Sequence, residues 1–226
     1  MISLSFSNPF ISQFILLLDT IVGSCEKKLT TIFQYKAIYV KDVIENMSDI
    51  NSWCASVLKR VQWQEADTFE CSNDLQRYWL LGLDSLSRRL EQHCHVLSVS
   101  VLDNTHVNPD KLTVEEEALL SGEVCLRRKV ILKGDQQSWV YGRTLIPLSS
   151  LQDQPHDLTR QGHTPLGITV FSAQSAHRDK LQVGTIMTER GELFARRSRL
   201  WMNNKPMLVA ELFLPEAPIY SKEVES

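Results

Sequence analysis

Near the C-terminus a single carboxylate sits where chemistry or structure must answer for it. Pro206-Met207-Leu208-Val209-Ala210-Glu211-Leu212-Phe213-Leu214-Pro215 reads as a strand buried on both faces and bracketed by prolines, and Glu211 is its only charged side chain. A carboxylate there costs free energy unless a partner meets it. Two partners are open. One is an arginine of the facing stretch Arg196-Arg197-Ser198-Arg199, which would make a structural ion pair. The other is a ligand, which would make Glu211 an acid lining a cavity.

Arg128 raises the same question with the opposite charge. In the stretch Glu123 to Lys133, Val124, Leu126, Arg128, Val130 and Leu132 share one face of a period-two strand, while Arg127 and Lys129 share the other. Arginine is seldom buried without a partner. Arg128 is therefore expected to pair with a buried acid such as Glu211 or to await an anionic ligand. Its fixed, always-charged fork suits a carboxylate. A third feature is Thr164-Pro165-Leu166-Gly167, which has the form of a helix start with threonine as cap and proline at the first position. Such a start leaves free backbone N–H groups, that of Leu166 among them, for an oxygen atom.

The elements that must position these residues follow from periodicity. Ser72 to Gln92 is expected to be one long helix capped by Ser72, with Leu75, Trp79, Leu83, Leu86 and Leu90 on its apolar face. Leu97 to Leu102 alternates as a strand. Thr105 to Ser121 is polar, with three consecutive glutamates, and is expected to be a solvated, mobile loop with a short helix capped by Thr113. Gly134-Asp135 turns the Glu123–Lys133 strand back into Trp139–Pro147. Leu181–Thr188 and Leu193–Met202 are further strands, and Asn203-Asn204 fits a tight turn into the last one. The sum is an α+β fold: a single, mainly antiparallel sheet of about six strands with helices on one face.

Composition limits the function. The chain has 226 residues, 43% hydrophobic and 23% charged, with a formal net charge of -3. Those are the proportions of a soluble globular protein, and the charge gives no sign of a nucleic-acid surface. The five cysteines form no C-x-x-C pair, which argues against a disulfide framework and a zinc ribbon and fits a reducing cytoplasm. His93-Cys94-His95 has no second ligand pair at useful spacing, so no metal site is expected. No glycine-rich phosphate loop and no G-x-S-x-G elbow is present, and nothing calls for a cofactor. Residues 1–49 differ from the rest. The apolar run Phe10 to Val22 is interrupted by Ser12, Gln13 and Asp19, too short and mixed to span a membrane. We expect residues 1–49 to be an extension, 50–220 the domain and 221–226 a tail, with Met47 a candidate start and residues 1–46 dispensable.

The linear pattern reaches further than the physics. Trp139-x-x-Gly142-Arg143-Thr144-x-x-Pro147, Thr164-Pro165-Leu166-Gly167, Arg196-Arg197-Ser198-Arg199-Leu200, Lys205-Pro206 and Glu211-Leu212-Phe213-Leu214-Pro215-x-x-Pro218-x-Tyr220 together resemble the bacterial chorismate pyruvate-lyases from about residue 55 to Tyr220. The resemblance implies a metal-free, cofactor-free lyase that eliminates pyruvate from chorismate to give 4-hydroxybenzoate, the first step toward ubiquinone. It implies a ligand cavity closed by flaps, of which Thr105–Ser121 is one candidate, and a cytoplasmic monomer. By matching motifs, Arg128 is the carboxylate-binding arginine, Glu211 the acid that meets the 4-hydroxyl, Leu166 a backbone N–H donor to that hydroxyl, and Leu86 a backbone N–H donor to the carboxylate. The same fold resembles the effector-sensing domain of bacterial transcription repressors, a non-catalytic alternative. Residues 1–49 hold no basic recognition helix of the kind that precedes such a domain.

Overall fold

The computed structural model describes residues 48–120, 122–152, 157–173 and 175–221. The Phe10–Val22 run and the candidate start at Met47 lie outside the described residues. Residues 48–60 are helical (α1), and their apolar side chains Cys54, Val57 and Leu58 are buried with Val61. There follow β1 (Gln64–Glu65), α2 (Asp74–Leu81), α3 (Leu86–Glu91), β2 (Leu97–Val107), α4 (Val114–Leu119), β3 (Cys125–Gly134), β4 (Gln137–Pro147), α5 (Leu148–Leu151), α6 (Leu166–Val170), β5 (His177–Thr188), β6 (Gly191–Met202) and β7 (Lys205–Phe213). The strands form one antiparallel sheet of seven in the order β1-β5-β6-β7-β4-β3-β2. The added strand is the two-residue β1. Its pattern is too short to show in sequence.

Turn chemistry explains the hairpins. Asp135 and Gln136 both have positive φ, 47° and 76°, between β3 and β4, and Asn203 and Asn204 do so at 52° and 60° between β6 and β7. Both are the mirror-image turns that match strand twist, and Asn and Asp tolerate the left-handed region best among residues with a Cβ. Asp135 also accepts hydrogen bonds from the backbone N–H groups of His95 and Val96, which ties the hairpin to the start of β2. Those N–H groups hold its carboxyl below the usual aspartate range. His93-Cys94-His95 forms the turn before β2, where His93 packs 5.0 Å from the Trp79 ring.

The sheet carries apolar clusters on both faces. On one face Trp79, Leu80, Leu86 and Leu90 from α2 and α3 pack on Val99, Leu132, Val140, Phe194 and Phe213. Val170 from α6 packs further along on Leu126, Ile146, Leu200, Met207 and Val209. On the other face α1 packs on Ile131, Tyr141, Leu193, Ala195, Ala210 and Leu212. The expected layer of helices is thus α2, α3 and α6, and α1 and α4 add a second. Tyr220 closes the C-terminus: its hydroxyl accepts from the Phe194 N–H at 2.9 Å and donates to the Phe213 carbonyl at 3.1 Å. Among the described residues no helix is long and apolar enough to cross a membrane.

Two expectations need correction. The long helix over Ser72–Gln92 is two helices, with Asn73 and Ser85 as their N-caps. The apolar spacing runs through the break, but Gly82 is extended and Leu83 is 58% exposed. The cause is tertiary: Arg196 takes the carbonyls of Trp79 and Gly82 at 3.0 and 3.1 Å, so α2 ends where a continuous helix would need those groups. Thr105 to Leu120 is not a free loop either. β2 continues to Val107, and α4 is held by a capping box between Thr113 and Glu116. Glu116 is buried and ion-paired with Arg143.

Asn204 offers a test of the turn. Asn204→Gly should leave stability unchanged or slightly higher, because glycine accepts positive φ freely. Asn204→Val should lower it by about 1–2 kcal/mol, read from chemical unfolding of the two variants side by side.

Candidate active site

Strand register decides which side chains meet. Arg128 on β3 lies opposite Thr144 on β4, Thr144 opposite Val209 on β7, and Val209 opposite Ser198 on β6. One step along, Val130, Gly142, Glu211, Arg196 and Val183 form the next row on the same face. Arg128 and Glu211 therefore face the same side, under α2, α3 and α6. Arg128 (3% exposed), Thr144, Ser198, Arg196 (0%) and Glu211 (8%) make a polar seam between the two apolar clusters of that face. Gly142 helps to open it, because it places no side chain beside Glu211.

The alternatives left open by the sequence resolve differently for the two residues. Glu211 pairs with Arg196, its direct cross-strand neighbour, whose Nε donates to Oε2 at 2.6 Å. Arg128 does not reach Glu211. Its Nη2 donates to the carbonyl of Gly162 at 2.7 Å and, at the limit of a hydrogen bond, to that of Thr164 at 3.5 Å. Among the described residues no carboxylate lies within ion-pair distance of it. Burial pulls its pKa down to about 10, so it remains a cation at neutral pH.

Leu166 is the first residue of α6, and the cap position belongs to Pro165 rather than Thr164. Thr164 contributes its carbonyl to Arg128 instead. Leu86 is the first residue of α3, with its side chain buried. Each therefore has its backbone N–H in a first helical turn, where the helix itself supplies no acceptor. The two helix starts are held together by Gly167. A Cβ on it would stand 2.9 Å from Ser85 Oγ and 3.1 Å from Ser87 Oγ, so only glycine lets α6 approach α3 this closely. Loop 157–165 is tied over the seam by His163 Nδ1 to the Val99 carbonyl at 2.8 Å and by Gln161 Nε2 to Thr169 Oγ1 at 2.6 Å.

Arg178, which the sequence reading passed over, also belongs to this cluster. Its Nη1 donates to Ser198 Oγ, and its Nε is buried without a hydrogen-bond partner among the described residues. Arg196 Nη2 is in the same condition. Burial first, then the charge of Arg196, pull the Arg178 pKa down to about 10. Its strand begins earlier than expected, because polar residues and a bulge between Asp179 and Gln182 hide the alternation. The seam thus gathers three guanidiniums and one carboxylate in a desolvated place, with hydrogen-bonding capacity to spare. That arrangement suits an anion with more than one acidic group.

The segment Thr105–Leu120 does not lie over this cluster. Leu120 packs with Cys125, Leu145 and Leu208, and Glu116 pairs with Arg143, all on the opposite face. The segments that cover Arg128 and Glu211 are α2–α3 and residues 157–171.

Comparison with known proteins now bears on this geometry. Residues 57–225 match the family model for chorismate lyase. A protein of Aliivibrio fischeri described as a probable chorismate pyruvate-lyase is 99% identical over 180 residues, covering 80% of this chain and all of that one. One of Vibrio vulnificus with the same description is 54% identical over 78% of this chain and 99% of that one. The chorismate pyruvate-lyase of Photorhabdus laumondii is 35% identical over 72% of this chain and 94% of that one. Among solved structures, PhnF from Mycobacterium smegmatis is 10% identical with a TM-score of 0.44, over 91% of this chain and 94% of that one, a likeness too slight to bear on function. The chain belongs to the chorismate lyase family.

Proposed function

We propose that this protein eliminates pyruvate from chorismate to give 4-hydroxybenzoate, the first step toward ubiquinone. The observation that carries the reading is Arg128: a buried guanidinium, 3% exposed, that meets only backbone carbonyls. Such a group is built for an anion that arrives from outside the protein. The ring carboxylate of chorismate takes the place of the Gly162 and Thr164 carbonyls on Arg128, with the Leu86 N–H as a second donor. From strand spacing the Cα atoms of Arg128 and Glu211 stand about 12 Å apart, which leaves room between their heads for a six-membered ring. Glu211 and the Leu166 N–H then meet the 4-hydroxyl.

Charge balance supports a dianion. Arg128, Arg178 and Arg196 exceed Glu211 by two positive charges, which matches the two carboxylates of chorismate. We assign the enolpyruvyl carboxylate to Arg178, whose buried Nε has a proton to donate. The chemistry asks little more of the protein. Loss of enolpyruvate is driven by aromatisation, so the residues hold the ring, exclude water and keep the carboxylates fixed while the C–O bond breaks. Glu211 stands where it orients the 4-oxygen and assists proton movement at that carbon. Incubation with chorismate and detection of 4-hydroxybenzoate and pyruvate in equal amounts tests the activity directly.

Four variants test the roles. Arg128→Ala should weaken 4-hydroxybenzoate binding by about 1.5–3 kcal/mol, roughly ten- to a hundredfold. Arg128→Lys should restore only part, because an ammonium lacks the planar fork. Calorimetric titration reads both, and unchanged affinity in Arg128→Ala would sink the carboxylate assignment. Arg178→Gln should raise KM for chorismate while leaving the affinity for 4-hydroxybenzoate nearly unchanged, since the product has only one carboxylate; equal effects on both would refute the division of labour. Glu211→Gln leaves Arg196 buried and without its counter-charge. It should lower unfolding stability, on the order of 3 kcal/mol, and turnover as well. Thermal unfolding beside turnover separates the effects: normal turnover per folded molecule would make the carboxylate purely structural.

A further inference from the structure

The opposite face of the sheet carries a second row of charges, and it runs across all seven strands. Asp103 on β2 is opposite Lys129 on β3, Lys129 opposite Arg143 on β4, and Arg143 opposite Ala210 on β7. Ala210 is opposite Arg197 on β6, Arg197 opposite Gln182 on β5, and Gln182 opposite Glu65 on β1. Like charges directly opposite in an antiparallel pair repel. Lys129 and Arg143 are such a pair. Arg143 is compensated by Glu116, and Arg127, next to Lys129, by Asp103. Lys129 itself has no carboxylate within ion-pair distance among the described residues. Asp103, its neighbour in the row, is already engaged by Arg127 Nε and Nη2. Burial, then the charge of Arg127, pull the Lys129 ammonium below the usual lysine range.

Arg197 stands on the far side of Ala210 in a similar state. Its Nε donates to the neutral Gln182 side chain at 2.7 Å, and its guanidinium lies 4.7 Å from the centre of the Trp63 ring. It also has no ion-pair partner among the described residues. Between these two cations the row holds Arg143, which is paired with Glu116, and Ala210, whose side chain is only a methyl group. The result is a cavity of about 550 Å³ on this face, floored by Leu208 and Ala210, walled by Leu58 and Val61, and bordered by the cations Lys59, Lys129, Arg143 and Arg197 and by the carboxylates Glu115 and Glu116, the latter held by Arg143. That volume is in the range of small-molecule sites. An apolar floor with cations at both ends fits a short carbon chain with an acid at each end better than it fits a bare inorganic ion.

We propose that this cavity is a second ligand site, separate from the Arg128–Glu211 seam, which binds a small organic dicarboxylate with one acid at Lys129, the other at Arg197 and its carbon chain over Ala210. The site stands on its own geometry and does not depend on the lyase reading.

The test titrates adipate into the full chain by calorimetry at constant ionic strength, with hexanoate as the one-acid control. Adipate should bind wild type and Arg128→Ala alike, and Lys129→Gln and Arg197→Gln at least tenfold more weakly. Hexanoate should bind wild type more weakly than adipate does. The unliganded Lys129→Gln protein should melt no lower than wild type, because it loses a repulsion, and it should keep wild-type affinity for 4-hydroxybenzoate if that ligand binds. Four results would overturn the proposal: no saturable binding of adipate below about 10 mM, loss of binding in Arg128→Ala, undiminished binding in Lys129→Gln, or hexanoate binding as tightly as adipate. Because Arg128→Ala removes the other site and Lys129→Gln spares it, failure here is distinguishable from failure of the lyase reading.

Discussion

Between β6 and β7 a guanidinium with no exposed surface meets a carboxylate that is nearly as buried, at 2.6 Å. Neither charge is stable there alone, and breaking such a pair typically costs about 3–5 kcal/mol. The pair also needs its remaining protons satisfied, and Arg196 obtains two acceptors by taking the carbonyls of Trp79 and Gly82. That demand stops α2 and begins α3 at a new cap, Ser85. The start of α3 is then the surface on which Gly167 seats α6. The loop before α6 carries the carbonyls that hold Arg128. One cross-strand ion pair thus fixes the helix break, the position of both helix starts and the placement of the loop over the arginine.

The same sheet serves two electrostatic tasks because its side chains alternate. Arg128, Gly142, Arg196 and Glu211 face the helical layer of α2, α3 and α6. Their next neighbours in the chain, Lys129, Arg143, Arg197 and Ala210, face the other way. Burial on the first face is deeper, and the carboxylate there is already matched by one guanidinium, so Arg128 and Arg178 are left without an ion-pair partner among the described residues. On the second face Asp103 answers Arg127 and Glu116 answers Arg143, while Lys129 and Arg197 have no ion-pair partner among the described residues.

Much of this was legible in the sequence wherever local rules suffice. The phase of β3 put Arg128 inward, the apolar run made Glu211 a buried acid, and Gly134-Asp135 and Asn203-Asn204 marked the hairpins. What stayed hidden depends on residues far apart in the chain. The apolar spacing of Ser72–Gln92 reads through a break that Arg196 imposes from more than a hundred positions away. Arg178 sits ahead of a bulge that scrambles the alternation, so neither its strand nor its direction was apparent. The choice between Arg196 and Arg128 as the partner of Glu211 is a matter of register, and so is the charge row on the opposite face. Thr105–Ser121 reads as a solvated, mobile loop because it is polar and rich in glutamate, yet one of those glutamates, Glu116, is a buried anchor.

The strand order has a consequence for how the molecule is made. Among the described strands β7 is the last in chain order, yet it lies at the centre of the sheet, between β6 and β4. Until it emerges, β2-β3-β4 and β5-β6 are two separate ribbons, each with an open edge of unpaired backbone groups. The apolar strand that joins them also carries the acid of the polar seam. Assembly of the sheet and completion of the seam are therefore coupled, and until β7 pairs, those two edges are open to pairing elsewhere.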